Sequence, residues 1–186
     1  MIPDPDNGCI HIESCFKGAV HGDTFKAKAL FNGKEMGMGK TTVIGEYARL
    51  SVKLSEIYLW GPDNPQLYDL EFFLYDNEQC IDKVCSYMGL RSVVLDDNKI
   101  LINGKPIFQR LVLDQGFYPE GIYTAPTDED LKRDIEISMG LGFNGARLHE
   151  KIFEPRFLYW ADKLGYLVWG EHANWGLDIS GPMGLE

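Results

Sequence analysis

The chain has 186 residues, with 18 Lys and Arg against 28 Asp and Glu, giving a formal charge of −10. With 45% hydrophobic and 12% aromatic residues it has the apolar surface for a sizeable core and falls outside the disordered class. The length excludes a complete eight-stranded β/α barrel, which takes ~250 residues, together with anything else. The acidic excess is even, 13 acids to 9 bases through Leu95 and 15 to 9 beyond, so no half offers a cationic footprint for nucleic acid or an anionic membrane.

No run approaches the ~18 apolar residues of a membrane span, and Met1-Ile-Pro-Asp-Pro-Asp-Asn7 lacks the basic and apolar regions of a secretory signal. The expectation is no membrane partner and no export signal, with the compartment left unassigned. Cys9, Cys15, Cys80 and Cys85 show no Cys-x-x-Cys spacing, which argues against a zinc knuckle and for four free thiols.

From residue 8 to about 95 the pattern is short period-2 runs broken by turn residues. Ile10 and Ile12 alternate with His11 and Glu13. Phe25, Ala27 and Ala29 alternate with lysines, and Asn32-Gly33 supplies a type I′ hairpin turn. Runs at Tyr47–Leu54 and Leu67–Tyr75 repeat the habit. Several antiparallel strands without a helical stretch predict an immunoglobulin-like β-sandwich over residues 1–95.

After Leu95 the pattern changes. Lys99-Ile-Leu-Ile102, Asn103-Gly104 and Pro106-Ile-Phe108 predict a second hairpin leading to a strand, Leu111-Val-Leu113, that ends near Asp114. Thr127 followed by Asp128, Glu129 and Asp130 reads as an N-cap with an acidic first turn. Leu131, Ile135 and Met139 share one helical face, and Gly142 is the stop. Phe143–Leu148 reads as a strand, Pro155 to Gly165 as a helix, and Tyr166–Trp169 as a third strand. Crossovers of that length make the three strands parallel, with the helices on one face. Residues 96–186 are thus a β-α-β-α-β layer ending in the Gly/Pro-rich stretch from Gly176 to Glu186.

Gly37-Met-Gly39-Lys40-Thr41 echoes a phosphate-binding loop. Its first glycine would fall at Lys34, however, and Thr-Val-Ile-Gly45 reads as a strand where a helix must begin, so ATP binding is the weakest reading. Polar residues at the strand ends are more informative. Asp114 and Gln115 follow the first parallel strand, Arg147 and His149 end the second, and Glu171 and His172 follow the third. Loops at the carboxyl edge of a parallel β/α sheet converge on one crevice, which makes Asp114, Gln115, Arg147, His149 and Glu171 candidate binding residues. Trp169, Trp175, Phe117 and Tyr118 offer aromatic faces of the kind that stack on sugar rings, and Trp169 is counted with the binding candidates, although core packing is its bland alternative.

A set of ordered motifs adds a family. They are Leu59-Trp-Gly-Pro-Asp-Asn-Pro-Gln-Leu-Tyr68, Tyr87-Met-Gly-Leu-Arg91, Ile102-Asn-Gly-Lys-Pro-Ile-Phe108, Asp134 with Asn144-Gly-Ala-Arg147, Trp160-Ala-Asp-Lys-Leu-Gly165 and Val168-Trp-Gly-Glu171. In this order the chain resembles glycoside hydrolase family 2, the β-galactosidases, β-glucuronidases and β-mannosidases. The resemblance implies an immunoglobulin-like sandwich at 1–95 and the start of a TIM barrel at 96–186. Its partners would be a carbohydrate substrate, a jelly-roll domain and the rest of the barrel.

The departures matter. Many members carry Arg-His-Glu after the first barrel strand, where Leu113-Asp114-Gln115 stand here. After the second strand, Arg-Thr-Ser-His-Tyr-Pro is replaced by Arg147-Leu-His149-Glu-Lys151. Asp114 accepts two hydroxyls and His149 donates to one, so hydroxyl recognition survives. The magnesium pair of β-galactosidases has no match, and no metal or cofactor is implied.

The family's acid/base glutamate follows an Asn at the fourth strand and its nucleophile lies near the seventh, both beyond these three strands. Asn77-Glu78 is a turn of the sandwich, and the position matching Glu171 supports the pocket floor. No catalytic residue is therefore expected in the chain. Two functions follow: part of a retaining exo-β-glycosidase, inactive alone, or a non-catalytic carbohydrate-binding or scaffold module.

Overall fold

The computed structural model describes residues 1–18 and 21–173. The chain divides into two compact units, Met1–Ile107 and the part from Phe108 onward. Among its described residues the first unit holds twelve strands in chain order: β1 (Ile2–Asp4), β2 (Cys9–Cys15), β3 (Thr24–Phe31), β4 (Lys34–Thr42), β5 (Tyr47–Lys53), β6 (Trp60–Gly61), β7 (Asn64–Pro65), β8 (Tyr68–Asp76), β9 (Gln79–Met88), β10 (Val93–Asp96), β11 (Lys99–Ile102) and β12 (Lys105–Pro106). The second unit holds β13 (Leu111–Asp114), α1 (Asp128–Gly140), β14 (Gly145–Leu148), α2 (Pro155–Leu164) and β15 (Leu167–Gly170).

In the first unit, the antiparallel sheet β1-β2-β5 and the sheet β4-β3-β8-β9 enclose one core. The period-2 alternation sends Ile10 and Ile12 of β2, Phe25 and Ala27 of β3, Leu50 and Val52 of β5 and Leu70 of β8 inward. Asn32 and Gly33 both carry positive φ, 50° and 77°, as a type I′ turn requires, and Asn77 at φ 51° makes the β8–β9 turn.

The Gly37–Thr41 stretch lies within β4, which packs on β5 of the opposite sheet. A Cβ on Gly37 would stand 2.1 Å from the Lys53 carbonyl oxygen. Its glycine serves backbone approach between sheets, not phosphate binding.

Tyr68 is fully buried, and its hydroxyl donates to the Glu56 carbonyl (3.0 Å) while accepting the Tyr58 N–H (2.7 Å). Phe31 stacks on Tyr58 with centroids 4.0 Å apart. Residues of the ordered motifs meet beside this core. Asn103 donates to the Trp60 carbonyl (2.9 Å) and accepts from Ser92 N–H (3.0 Å), and Arg91 lies over the Trp60 ring at 4.4 Å.

Strands β10, β11 and β12 form an antiparallel meander that pairs Val93–Asp96 with Lys99–Ile102. The meander spans the 95/96 position at which the sequence pattern changes, and the compact units separate later, after Ile107.

In the second unit β13, β14 and β15 form a parallel sheet in the order of the chain. Helix α1 begins with a capping box in which Thr127 and Asp130 each bond the other's backbone N–H, and α2 begins with Pro155 and ends at Gly165 in the left-handed conformation (φ 77°). Leu131 and Ile135 of α1 and Phe157 and Ala161 of α2 pack with Ala146 and Leu148 of β14.

Asn144 ties the strand starts together. Its side chain donates to the Phe108 carbonyl (2.9 Å) and accepts from Arg110 N–H (2.7 Å), while its own carbonyl accepts Leu167 N–H (2.9 Å). A Cβ at Gly145 would meet the Leu167 carbonyl oxygen at 2.3 Å, so only glycine fits there.

The face turned away from the helices carries the row Leu113, Arg147 and Trp169, paired in register across the three strands. Trp169 is 49% exposed, against the alternative that it packs in the core. Alternation places it on the uncovered face, one residue from Val168, which meets the helices. No helix among the described residues is long and apolar enough to cross a membrane.

Candidate functional site

The carboxyl ends of β13, β14 and β15 bring the predicted polar residues together. Arg147, projecting from β14, forms an ion pair through its Nε with Glu171, just past β15. The other Glu171 oxygen accepts the Glu150 N–H (3.2 Å). Burial pushes the Glu171 carboxyl up, but that N–H, the Arg147 guanidinium and the nearby His149 outweigh it and hold the group below its ordinary value.

Asp114 ends β13. Its Oδ1 accepts Gly116 N–H (2.8 Å) and its carbonyl accepts His149 N–H (2.8 Å), which ties the two strand ends. Burial raises the Asp114 pKa, the Gly116 N–H opposes that rise, Asp134 adds to it and Lys151 subtracts from it, with a net rise. Gln115 Nε2 donates to His149 Nδ1 (3.1 Å), which leaves His149 Nε2–H as a donor for a ligand oxygen.

His149, Glu150 and Glu171 each place a ligand atom within 4.8 Å of the others. These three could hold a cation. Arg147 already supplies positive charge to Glu171 there, and Gln115 engages His149, so the same geometry is complete as an ion pair within a hydrogen-bonded network. Trp169 lies beside Arg147 in the register. His172 bonds the Ala173 carbonyl (2.9 Å) in its own loop and does not join the cluster, and Trp175 lies outside the described residues.

The loop between β13 and α1 forms a second wall. Tyr118, expected to offer its face to a sugar, instead packs against the helix-side core and donates its hydroxyl to Asp134 Oδ2 (2.7 Å). Burial first, then that hydrogen bond to a carboxylate, pushes its pKa up. Phe117 remains exposed and pairs with Tyr123, centroids 4.6 Å apart.

Lys151 anchors the loop by donating to the carbonyls of Gly116 (3.0 Å) and Tyr123 (2.8 Å), and burial lowers its pKa against the opposing pull of Glu154 and Asp114. Sequence reasoning missed Tyr123 and Lys151 as site residues, since their bonds join positions 28 and 35 apart and no local pattern marks them. Backbone strain collects here as well: Ile122 (φ 59°) and Glu150 (φ 56°) both occupy the left-handed region.

Among known proteins, residues 18–91 match the Glycosyl hydrolases family 2. The chain is 32% identical over 114 residues to the β-galactosidase of Staphylococcus xylosus, covering 61% of this chain and 11% of that enzyme. It is 29% identical over 126 residues to the β-galactosidase of Thermoanaerobacter pseudethanolicus, covering 67% and 17%. Among solved structures, an FMN-binding β-glucuronidase from Faecalibacterium prausnitzii L2-6 superposes with a TM-score of 0.78 at 25% identity, over 91% of this chain and 26% of that one. A glycosyl hydrolase family 2 member from Bacteroides cellulosilyticus gives a TM-score of 0.78 at 24% identity, over 88% and 24%. The chain thus spans between about a tenth and a fifth of the length of these β-galactosidases. The family model, the β-galactosidases and the superposed structures together make the chain similar to glycosyl hydrolase family 2.

Proposed function

We propose that this chain forms one wall of the sugar site of a retaining exo-β-glycosidase acting on terminal β-linked sugars of the galactoside, glucuronide or mannoside class. The observation that carries the reading is the meeting of Asp114, Arg147, His149 and Glu171 at the ends of three adjacent parallel strands. In this reading β13–β15 with α1 and α2 are the first three strands of a TIM barrel, residues 1–95 are its immunoglobulin-like neighbour and the barrel begins in residues 96–186. Ligands of such barrels sit at the carboxyl edge, where these groups lie.

Each residue then has a role. Asp114 accepts sugar hydroxyls, and the burial that raises its pKa also strengthens each such bond. His149 donates through Nε2–H, held in that tautomer by Gln115. Arg147 and Glu171 neutralise each other and form a rigid floor. Trp169 gives an apolar face beside them.

A retaining mechanism needs two carboxyl groups ~5–5.5 Å apart, one poised as nucleophile and one as acid. Glu171 is committed to Arg147, so the proposal gives it no catalytic part and the 186-residue chain binds sugar without turning it over. The test is hydrolysis of aryl β-galactoside, β-glucuronide and β-mannoside by this chain and by a polypeptide extended through a whole barrel. Turnover by the extended form alone supports the proposal, and turnover by the 186-residue chain overturns it. Sugar binding that persists without turnover in the extended form would favour a carbohydrate-binding module.

A further inference from the structure

We infer that the Phe117–Tyr123 pair is a stacking subsite for the leaving-group ring of a β-glycoside whose glycone is held at Asp114 and His149, and that Lys151 is its positioning residue. The inference deepens the proposed function and rests on it.

Residues 115–127 connect β13 to α1 with no helix or strand of their own. A connection of that length in a compact unit is costly to order and is usually functional. This one is fixed at several points. Tyr118 and Ile122 exchange backbone hydrogen bonds of 2.8 and 2.9 Å. Asp114 holds Gly116 N–H, and the Lys151 ammonium bonds the carbonyls of Gly116 and Tyr123 at once. The same ammonium sits 5.2 Å from the Tyr123 ring centre and 4.8 Å from that of Phe153. Lys151 therefore spends two of its three donors inside the protein, holding the loop.

The aromatic residues of this region divide sharply. Tyr118 and Phe153 go into the helix-side core, whereas Phe117 and Tyr123 remain 55% and 56% exposed. Core packing accounts for the first two only. Two exposed rings in contact on a pinned backbone present a large apolar face whose ordering is already complete, which is the condition for stacking on a flat ring with little further entropy loss. The polar groups that read hydroxyls, Asp114 and His149, lie at the foot of the loop. The face begins three residues beyond Asp114, on the loop whose start Asp114 itself holds through Gly116 N–H.

The experiment compares equilibrium binding of methyl and p-nitrophenyl β-glycosides to the full chain, in the galacto, glucurono and manno series, by NMR. The aryl glycoside should bind roughly three- to tenfold more tightly. Phe117→Ala should erase that ratio and leave methyl glycoside affinity unchanged. Lys151→Met should erase it and open the loop to limited proteolysis, while Lys151→Arg, which keeps a donor for both carbonyls, should retain it. An aryl-to-methyl ratio near one in the wild type, or a ratio that survives Phe117→Ala in a variant with unchanged melting, overturns the subsite and leaves the sugar site standing. Failure of every glycoside to bind overturns the sugar site itself, and the subsite with it.

Discussion

The two units use the same residue classes to opposite ends. The first closes its core between two sheets, and its inward polar groups serve backbone: the Tyr68 hydroxyl satisfies Glu56 and Tyr58, and the Asn103 amide satisfies Trp60 and Ser92. The second covers its sheet on one face, leaves the row Leu113, Arg147 and Trp169 open, and gathers charged groups at the strand ends. Burial in the first unit is a matter of stability. In the second, burial holds the Asp114 carboxyl above its ordinary value and the Phe117 and Tyr123 rings stay exposed.

Substitutions can break this contrast. Phe25→Ala, at a ring 1% exposed between the two sheets, should cost ~3–5 kcal/mol in denaturant unfolding followed through Trp60. A smaller loss would mean that the sandwich core can collapse around the gap. Gly37→Ala should cost about 1–3 kcal/mol, because the added methyl meets the Lys53 carbonyl rather than a yielding side chain. An unchanged midpoint would show that the sheets separate freely.

Two carboxyl groups sharpen the contrast through pH. Glu171 sits below its ordinary value, so its contribution to folding is fully present above about pH 4.3 and is lost as pH falls through the lowered value. Glu171→Gln should therefore be less stable than wild type at neutral pH, with a shallower loss on acidification. Asp114 has the opposite sign. Its raised pKa means that ionisation costs stability as pH rises from about 3.9 through the folded value. Asp114→Asn, which keeps an oxygen for Gly116 N–H, should melt higher than wild type at neutral pH and bind sugar less well. A lower melting temperature would remove the evidence that this carboxylate is held at a cost. Leu113→Ser on the open face should change stability by no more than about 0.5 kcal/mol in the isolated chain, measured by the same unfolding.

Much of the fold was legible because local rules agreed with the packing. The alternation at Ile10–Glu13 and Phe25–Ala29, the Asn-Gly turns, the Thr127 cap and the Pro155-to-Gly165 helix each carry their own physical signal. Strand β1 carried none, since Pro3 and Asp4 are poor strand formers and only pairing with Cys9–His11 makes them extended. At the site, position along the chain revealed Asp114, Arg147, His149 and Glu171 as neighbours at one edge. It did not reveal which aromatic rings turn outward. Trp169 was read both as a stacking face and as a core residue, and strand alternation, which turns it outward, decides between them. Tyr118 and Phe117 are adjacent and go opposite ways: Tyr118 packs on the helix-side core with its hydroxyl on Asp134, and Phe117 turns out to meet Tyr123.

Ile122 holds a left-handed backbone conformation that costs a β-branched residue roughly 1–2 kcal/mol. Glycine would take this path without steric cost, but one forced on isoleucine persists only in the company that imposes it. The loop between β13 and α1 is thus not portable. Grafted onto another scaffold with β13 alone, residues 115–124 would relax to a different path, and a working transplant has to bring Lys151 and the end of β14 along with it.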